Sequence, residues 1–160
     1  MGKYRNYRNL EASVLDYITE QLTADGWTDI RVVKAFAEVY KGTIPCICIN
    51  VEDSDVIDRE IGSTSYLEDI LVSFRIFAKS DGQRLDLVSW AIEKIMPGID
   101  YYEYVIGDGI VTAKELKGKI LIQKVTVNRK ELKNTENVEA IDRYRHLLSF
   151  KCRIGFVEED

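Results

Sequence analysis

The sequence predicts an α+β domain: a twisted antiparallel sheet, open to one mixed pairing, with two amphipathic helices packed on it. Three observations predict this class. Two stretches repeat apolar residues at helical spacing. Several stretches alternate apolar and polar residues, as half-buried strands do. The joints between those strands are mostly short, glycine-bearing turns, which favour antiparallel neighbours.

The first helical stripe is Leu10, Val14, Ile18 and Leu22, with Leu15 beside it, and it predicts a helix over Asn9–Ala24. Asn9 is placed to cap its start, and Glu11 favours the positive end of the helix dipole. Gly26 is placed to end the helix in a left-handed conformation, after which Trp27 folds back onto the core.

Ile30–Ala37 is rich in β-formers. Ile44–Val51 alternates, with Ile47, Ile49 and Val51 on one face and Cys46, Cys48 and Asn50 on the other. Lys41-Gly42-Thr43 reads as the turn between these two strands. Pro45 falls near a strand start, where a missing donor costs least. Glu52–Ser65 opens on the acidic run Glu52, Asp53, Asp55 and Asp58 and softens into Gly62 and three hydroxyl residues. It reads as a loop or a short edge strand.

Asp69–Ala78 is a strand with Ile70, Val72, Phe74 and Ile76 on one face and Leu71, Ser73, Arg75 and Phe77 on the other. Ser80 followed by Gln83 fits a capping box, which opens a second helix running to about Met96. Leu85, Val88, Ile92 and Ile95 mark its apolar face, and Pro97-Gly98 stops it. Tyr101–Ile106 is a strand leading into the turn Gly107-Asp108-Gly109. Lys119–Val127 is another strand, and Asn128–Ala140 reads as a long charged loop. The last strand, Arg143–Phe156, sets Leu148, Phe150, Cys152, Ile154 and Phe156 against Ser149, Lys151, Arg153 and Gly155. The strand–helix–strand passage from Asp69 to Ile106 is where a crossover would enter.

At 160 residues, without internal repeat or linker, the chain reads as a single domain over 1–160. Hydrophobic residues at 46% and charged residues at 31% exclude a disordered composition. A net charge of −5 argues against a general nucleic-acid binder, which needs a basic surface. The three cysteines do not form the even, spaced set of a disulfide framework. A polar start and the lack of any apolar run near ~20 residues argue against a secretory signal and a membrane span, so the cytoplasm is the expected compartment.

No motif carries chemistry. His146 has Asp142 nearby, but no serine or cysteine stands in a nucleophile motif. Cys46-Ile47-Cys48 has one intervening residue and no second pair, where structural zinc wants four ligands; Cys152 could join only in space. The acidic run misses the calcium-loop pattern: counted from Asp53, the position that needs glycine is Asp58 and the one that needs glutamate is Thr64. Gly107-Asp108-Gly109 lacks the third glycine of a dinucleotide fingerprint. The reading is therefore a protein with no catalytic, cofactor or metal site. What remains is surface. Glu52, Asp53, Asp55 and Asp58 make an acidic patch; Arg129, Lys130, Lys133, Arg143 and Arg145 make a basic one among mixed charges. Complementary patches of this kind fix register between protein partners, although both also read as plain solvated loops.

By element order nearly the whole chain resembles the tail terminator and tail-completion (neck) proteins of long-tailed bacteriophages. The resemblance rests on the opening helix Asn9–Ala24 followed by Gly26-Trp27. It rests also on the strand Ile70–Ala78 running through Ser80-Asp81-Gly82 into a helix that ends at Met96-Pro97-Gly98. The third element is Asp142-Arg143-Tyr144-Arg145-His146, leading into the alternating last strand. The resemblance implies a homohexameric ring on the end of the tail tube, with the tube protein and the head-side connector as partners. It implies a place in the virion after assembly in the host cytoplasm, DNA passing through without specific recognition, and neither catalysis nor cofactor. The alternatives are a head-side neck or head-completion protein, a small α+β ligand-binding domain, and a nucleic-acid module.

Overall fold

A helix, α1, spans Asn6–Ala24. Its stripe behaves as the spacing requires: Leu10, Val14 and Ile18 are fully buried and Leu22 nearly so. The helix starts one turn earlier than Asn9, with Arg5 at the N-cap and no side chain capping it. Asn9 therefore lies inside the helix and is buried, because its amide serves a distant strand. The C-terminal end is as predicted. Gly26 adopts φ +80°, and the Trp27 and Gly26 N–H groups donate to the carbonyls of Leu22 (2.9 Å) and Thr23 (3.2 Å). This double closure satisfies the last carbonyls of the helix and sends Trp27 back against the core.

The computed structural model describes residues 5–34, 41–58, 66–129 and 145–156. After α1 come β1 (Arg31–Val33), β2 (Cys46–Asp58), β3 (Tyr66–Phe77), α2 (Asp81–Ile95), β4 (Ile99–Gly107), β5 (Ile110–Arg129) and β6 (Arg145–Phe156). They form one six-stranded sheet in the order β1-β2-β3-β6-β5-β4. The fold is α+β, two helices on a mixed, curled sheet. The parallel pair is β1 with β2; the other four pairings are antiparallel. Lys41-Gly42-Thr43 is thus no hairpin turn, since it joins neighbours that run the same way. The passage through α2 adds no parallel neighbour either: it carries the chain from β3 to the far edge of the sheet.

Three strands depart from the expected bounds. The strand expected over Ile30–Ala37 is confined to Arg31–Val33, and residues 35–40 lie outside the described residues. The segment from Glu52, expected as a loop or a short edge strand, is strand as far as Asp58; β2 pairs with β3 from Cys46 opposite Phe77 to Asp58 opposite Tyr66. A register shift between Val51 and Asp53 leaves Glu52 as a bulge. Residues 59–65 lie outside the described set. β5 begins at Ile110, not Lys119, and includes Asn128 and Arg129, which read as loop. In both strands the added part is polar or exposed on both faces, so it lacks the period-two burial that betrays a strand; the ladder with its hairpin partner supplies the order instead. The hairpin β4–β5 turns through Asp108 (φ +53°) and Gly109 (φ +79°), between paired Gly107 and Ile110. Two left-handed residues make the turn whose twist matches the flanking strands.

Helix α2 opens on the expected cap: Ser80 Oγ accepts from Gln83 N–H at 3.2 Å. The Gln83 side chain reaches one residue further back than a capping box, accepting from Lys79 N–H at 2.8 Å. Val88, Ile92 and Ile95 of the expected apolar face pack on the core, but Leu85 does not and Leu87 takes its place. Leu85 is 49% exposed, whereas Leu87, Ala91 and Ile95 are fully buried. Arg84 is buried too, its guanidinium on Asp81 Oδ1 at 3.0 and 2.5 Å.

Both helices cover one face of the sheet, against Ile47, Ile49, Val72, Phe74, Ile76, Leu148 and Phe150. Phe74 and Phe150 meet edge to face at 5.4 Å and 83°. Each such fully buried side chain contributes about 1.5–3 kcal/mol relative to exposure. A smaller cluster of Val33, Cys46, Cys48 and Phe77 occupies the opposite face.

The sheet curls because α1 lies between strands from both its ends. On one side Asn9 Oδ1 accepts from Tyr104 N–H (3.3 Å) and Ser13 Oγ from Tyr102 N–H (3.0 Å), both on the edge strand β4. The Ser13 hydroxyl proton goes to the Asn9 carbonyl at 2.7 Å. On the other side Glu11 Oε2 accepts from Val51 N–H of β2 at 3.3 Å. Buried backbone donors need partners, and a polar rail on an otherwise amphipathic helix provides them. α1 is also clasped to α2. Asp25 accepts from Trp90 Nε1 at 2.7 Å and pairs with Lys94 at 2.9 Å, while Tyr17 OH donates to the Lys94 carbonyl at 2.7 Å.

Candidate interaction surface

The acidic residues predicted from the sequence lie on β2. Glu52, at the bulge, holds Arg75 of β3 at 2.6 Å. Asp53 and Asp55 follow, exposed, opposite Leu71 and Asp69. Asp55 faces Lys151 of β6 at 3.7 Å. Asp58 ends the strand. The structure thus brings this run together with Arg75 and Lys151, bases outside the predicted basic set.

Of the predicted basic residues, Arg129 ends β5 and Arg145 opens β6; Lys130, Lys133 and Arg143 lie outside the described residues. Arg145 is in register with Phe77, and Asp58 with Tyr66, at the two ends of β3. The acidic end of β2, at Asp58, and the start of β6, at Arg145, therefore pair with opposite ends of β3.

The sequence reading missed Tyr7, Arg8 and Glu11. With Val51, Glu52, Asp53 and Ser54 they line an open groove of about 450 Å³ between the first turns of α1 and the outer edge of β2. Tyr7 OH bonds Ser54 Oγ at 2.6 Å and donates to Glu68. Tyr7 and Glu11, one turn apart, flank the apolar stripe of α1, and Tyr7 and Arg8 precede the helix predicted from Asn9. The groove holds three carboxylates (Glu11, Glu52, Asp53) against one guanidinium (Arg8). A strand edge beside a helix is the geometry in which an extended segment adds to a sheet, main chain to main chain.

The buried thiols are held in the protonated form. Burial raises Cys46 to about 11 and Cys152 to about 12, so neither is a nucleophile at neutral pH. Cys46 and Cys48 lie on one face of the sheet and Cys152 on the other, so the three sulfurs do not converge on an ion. Among the described residues no group of three His, Cys, Asp or Glu side chains is placed to hold a metal, and no helix is long and apolar enough to cross a membrane. His146 pairs by backbone with Ile76 and Arg129; Asp142 lies outside the described residues. The carboxylates that are strongly engaged serve structure. Hydrogen bonding from Lys94 and Trp90 holds Asp25 below the usual carboxylate range, and Arg153, at 2.5 Å, does the same for Asp69.

Among the described residues, the most exposed apolar surface is the end of the β4–β5 hairpin. Every residue from Gly107 to Leu116 is exposed; Ile110 stands at 70%, Val111 at 53% and Leu116 at 52%. Nothing on this arm resembles a reactive centre. It can offer apolar contact, backbone hydrogen bonds and the charges of Lys114 and Glu115. Compared with protein-family models and with curated proteins, the chain matches none.

Proposed function

We propose that this chain is a structural subunit that assembles with copies of itself into a ring, the tail terminator of a long-tailed bacteriophage. In this reading the ring, of six copies, stops growth of the tail tube and presents a surface to the head-side connector. It forms in the host cytoplasm, resides in the virion, lets DNA pass without reading it, and acts through its surfaces rather than by catalysis.

The observation that carries the proposal is the β4–β5 arm. A two-stranded ribbon with Ile110, Val111 and Leu116 exposed at its end is costly to leave in water. A neighbouring subunit would cover it. The element order agrees with the resemblance: a first helix, a sheet, a helix after a middle strand, and a long hairpin.

Negative-stain imaging of the purified chain, alone and mixed with tail tubes, tests the reading. Rings with a central hole near the tube's width are expected. A particle that stays monomeric in both conditions and binds a small molecule in a thermal-shift screen overturns it.

A further inference from the structure

The sequence contains three aspartates followed by glycine: Asp25-Gly26, Asp81-Gly82 and Asp108-Gly109. This dipeptide can rearrange without an enzyme. The glycine amide nitrogen attacks the side-chain carboxyl carbon of the aspartate, a water leaves, and an imide ring forms. Water then opens the ring at either carbonyl. One opening restores aspartate; the other leaves the main chain running through the side-chain carbon, as isoaspartate. One water is lost and one returns, and nothing is oxidised or reduced. Glycine hinders the attack least, because it has no side chain. By sequence the three sites are equal candidates, and the fold tells them apart.

At Asp25 both reacting groups are occupied. The carboxylate accepts from Trp90 Nε1 at 2.7 Å and pairs with Lys94 at 2.9 Å. These partners hold it below the usual carboxylate range and so in the ionised form, a poor electrophile. The Gly26 N–H donates to the Thr23 carbonyl at 3.2 Å. At Asp81 the carboxylate is held by Arg84 at 3.0 and 2.5 Å, and Gly82 lies in the first turn of α2, where helical torsions fix the backbone. Asp108 differs on each count. It and Gly109 are exposed, and among the described residues neither its carboxylate nor the Gly109 N–H has a partner.

The turn also prepares the attack. Asp108 at φ +53° and Gly109 at φ +79° have the torsions of a type I′ turn. The II′ turn of the same length keeps φ positive at the first residue and turns the peptide between the two over, which takes ψ of that residue to about −120°. At that ψ the Gly109 nitrogen eclipses the Asp108 Cβ, the disposition the imide ring requires. Gly109 must exchange a positive φ for a negative one, which glycine does freely. The flip moves one exposed peptide and leaves Gly107 opposite Ile110.

We propose that Asp108 is a site of spontaneous isomerisation to isoaspartate, the aspartate–glycine step at which the folded chain ages. The product places one extra main-chain atom in a turn that closes on two residues, so the end of the arm, with Ile110 and Val111, loosens. The change needs no catalytic group or cofactor, and it does not depend on the ring reading above.

Ageing the purified full-length chain in warm neutral buffer, folded and in guanidinium chloride, tests this. Proteolytic peptides are separated by chromatography, and isoaspartate is recognised as a peptide of unchanged mass and altered retention, located by electron-transfer fragmentation. In the folded chain isoaspartate is expected to accumulate at Asp108 about tenfold or more faster than at Asp25 or Asp81, where charge-assisted bonds must break before the ring can close. In denaturant the three sites should converge, since the dipeptide is the same. Equal rates at the three sites in the folded chain overturn the proposal. A rate at Asp108 that rises about tenfold or more in denaturant also overturns it, because the turn would then protect the site.

Discussion

Removing the Asn9 side chain tests whether α1 closes the sheet. Asn9 is 4% exposed and Ser13 2%, so the Tyr104 and Tyr102 N–H groups they receive have no ready access to water. Asn9→Ala leaves the Tyr104 donor buried and unpaired, at a cost of about 1–3 kcal/mol. Against this, alanine gains about 0.5 kcal/mol of helix propensity. The net loss is about 1–2.5 kcal/mol, a fall in Tm of about 2–10 °C for a chain of this size. Ser13→Ala strips the acceptor from Tyr102 and is expected to cost slightly less, because the Asn9 carbonyl keeps its helical partner. The double variant departs from the sum, since the Ser13 hydroxyl also binds Asn9. Urea unfolding gives the energies, and amide exchange locates them: Tyr102 and Tyr104 should exchange faster while the β3–β6 pairing keeps its protection. Glu20→Ala, on the same helix but 3.9 Å from its ion partner, serves as the control and stays within about 0.5 kcal/mol. A loss under about 0.5 kcal/mol for Asn9→Ala, with unchanged exchange at Tyr104, refutes the reasoning.

Other expectations follow from local geometry. A Cβ at Gly118 would stand 2.9 Å from both the Gly155 carbonyl carbon and Phe156 Cα, closer still to the Gly155 oxygen, so Gly118→Ala should cost about 1–3 kcal/mol or more in thermal unfolding. Gly155→Ala, whose nearest neighbour is a flexible Leu121 methyl at 3.4 Å, should cost clearly less. The Asp25 and Asp69 carboxyls are held below their usual range by their cationic and donor partners. The unfolded chain therefore binds more protons near pH 4, and stability is present above that pH and lost as the pH falls through and below it. Urea midpoints from pH 7 to pH 3 should show this decline, and Asp25→Asn and Asp69→Asn should start lower and decline less. All three thiols are fully buried, so a thiol reagent at pH 8 should label none in the folded chain and all three in denaturant; fast native labelling would contradict the placement.

How much of this was legible depended on how local the cause was. The stripe Leu10, Val14, Ile18 and Leu22 declares a helix because each residue repeats the same burial. Gly26, Ser80 and Gly109 declare ends and turns because backbone geometry there is set within a few residues. Asn9 was misread as a cap because its partner lies 95 residues away, and no local rule sees such a bond. Leu85 was placed on the buried face and Arg84 was passed over because hydropathy does not register a buried guanidinium whose charge is met by Asp81. The start of β5 was missed, and the outer part of β2 was left between loop and edge strand, because neither shows the alternating burial of a strand and the order comes from the neighbouring strand. For the same reason the acidic run was seen as a charge patch that a loop or a short edge strand could carry, without a choice between the two. Of its companions only Glu11 fell on the predicted helix, Tyr7 and Arg8 lying before its expected start, and nothing in the sequence placed that helix beside β2.

The position of α1 has a consequence for the order in which the protein can be made. This helix leaves the ribosome early, but Tyr102 and Tyr104, whose N–H groups Asn9 and Ser13 satisfy, are synthesised some ninety residues later. Until they arrive, the helix can meet β2 through Glu11 but cannot close against β4. The apolar stripe and two buried polar side chains must wait, partly uncovered, while those residues are made. Long-range closure of this kind slows folding and prolongs the exposure of sticky surface. A nascent chain halted before β4 is therefore the form most in need of a chaperone, and the completed hairpin is what lets the first helix finish folding.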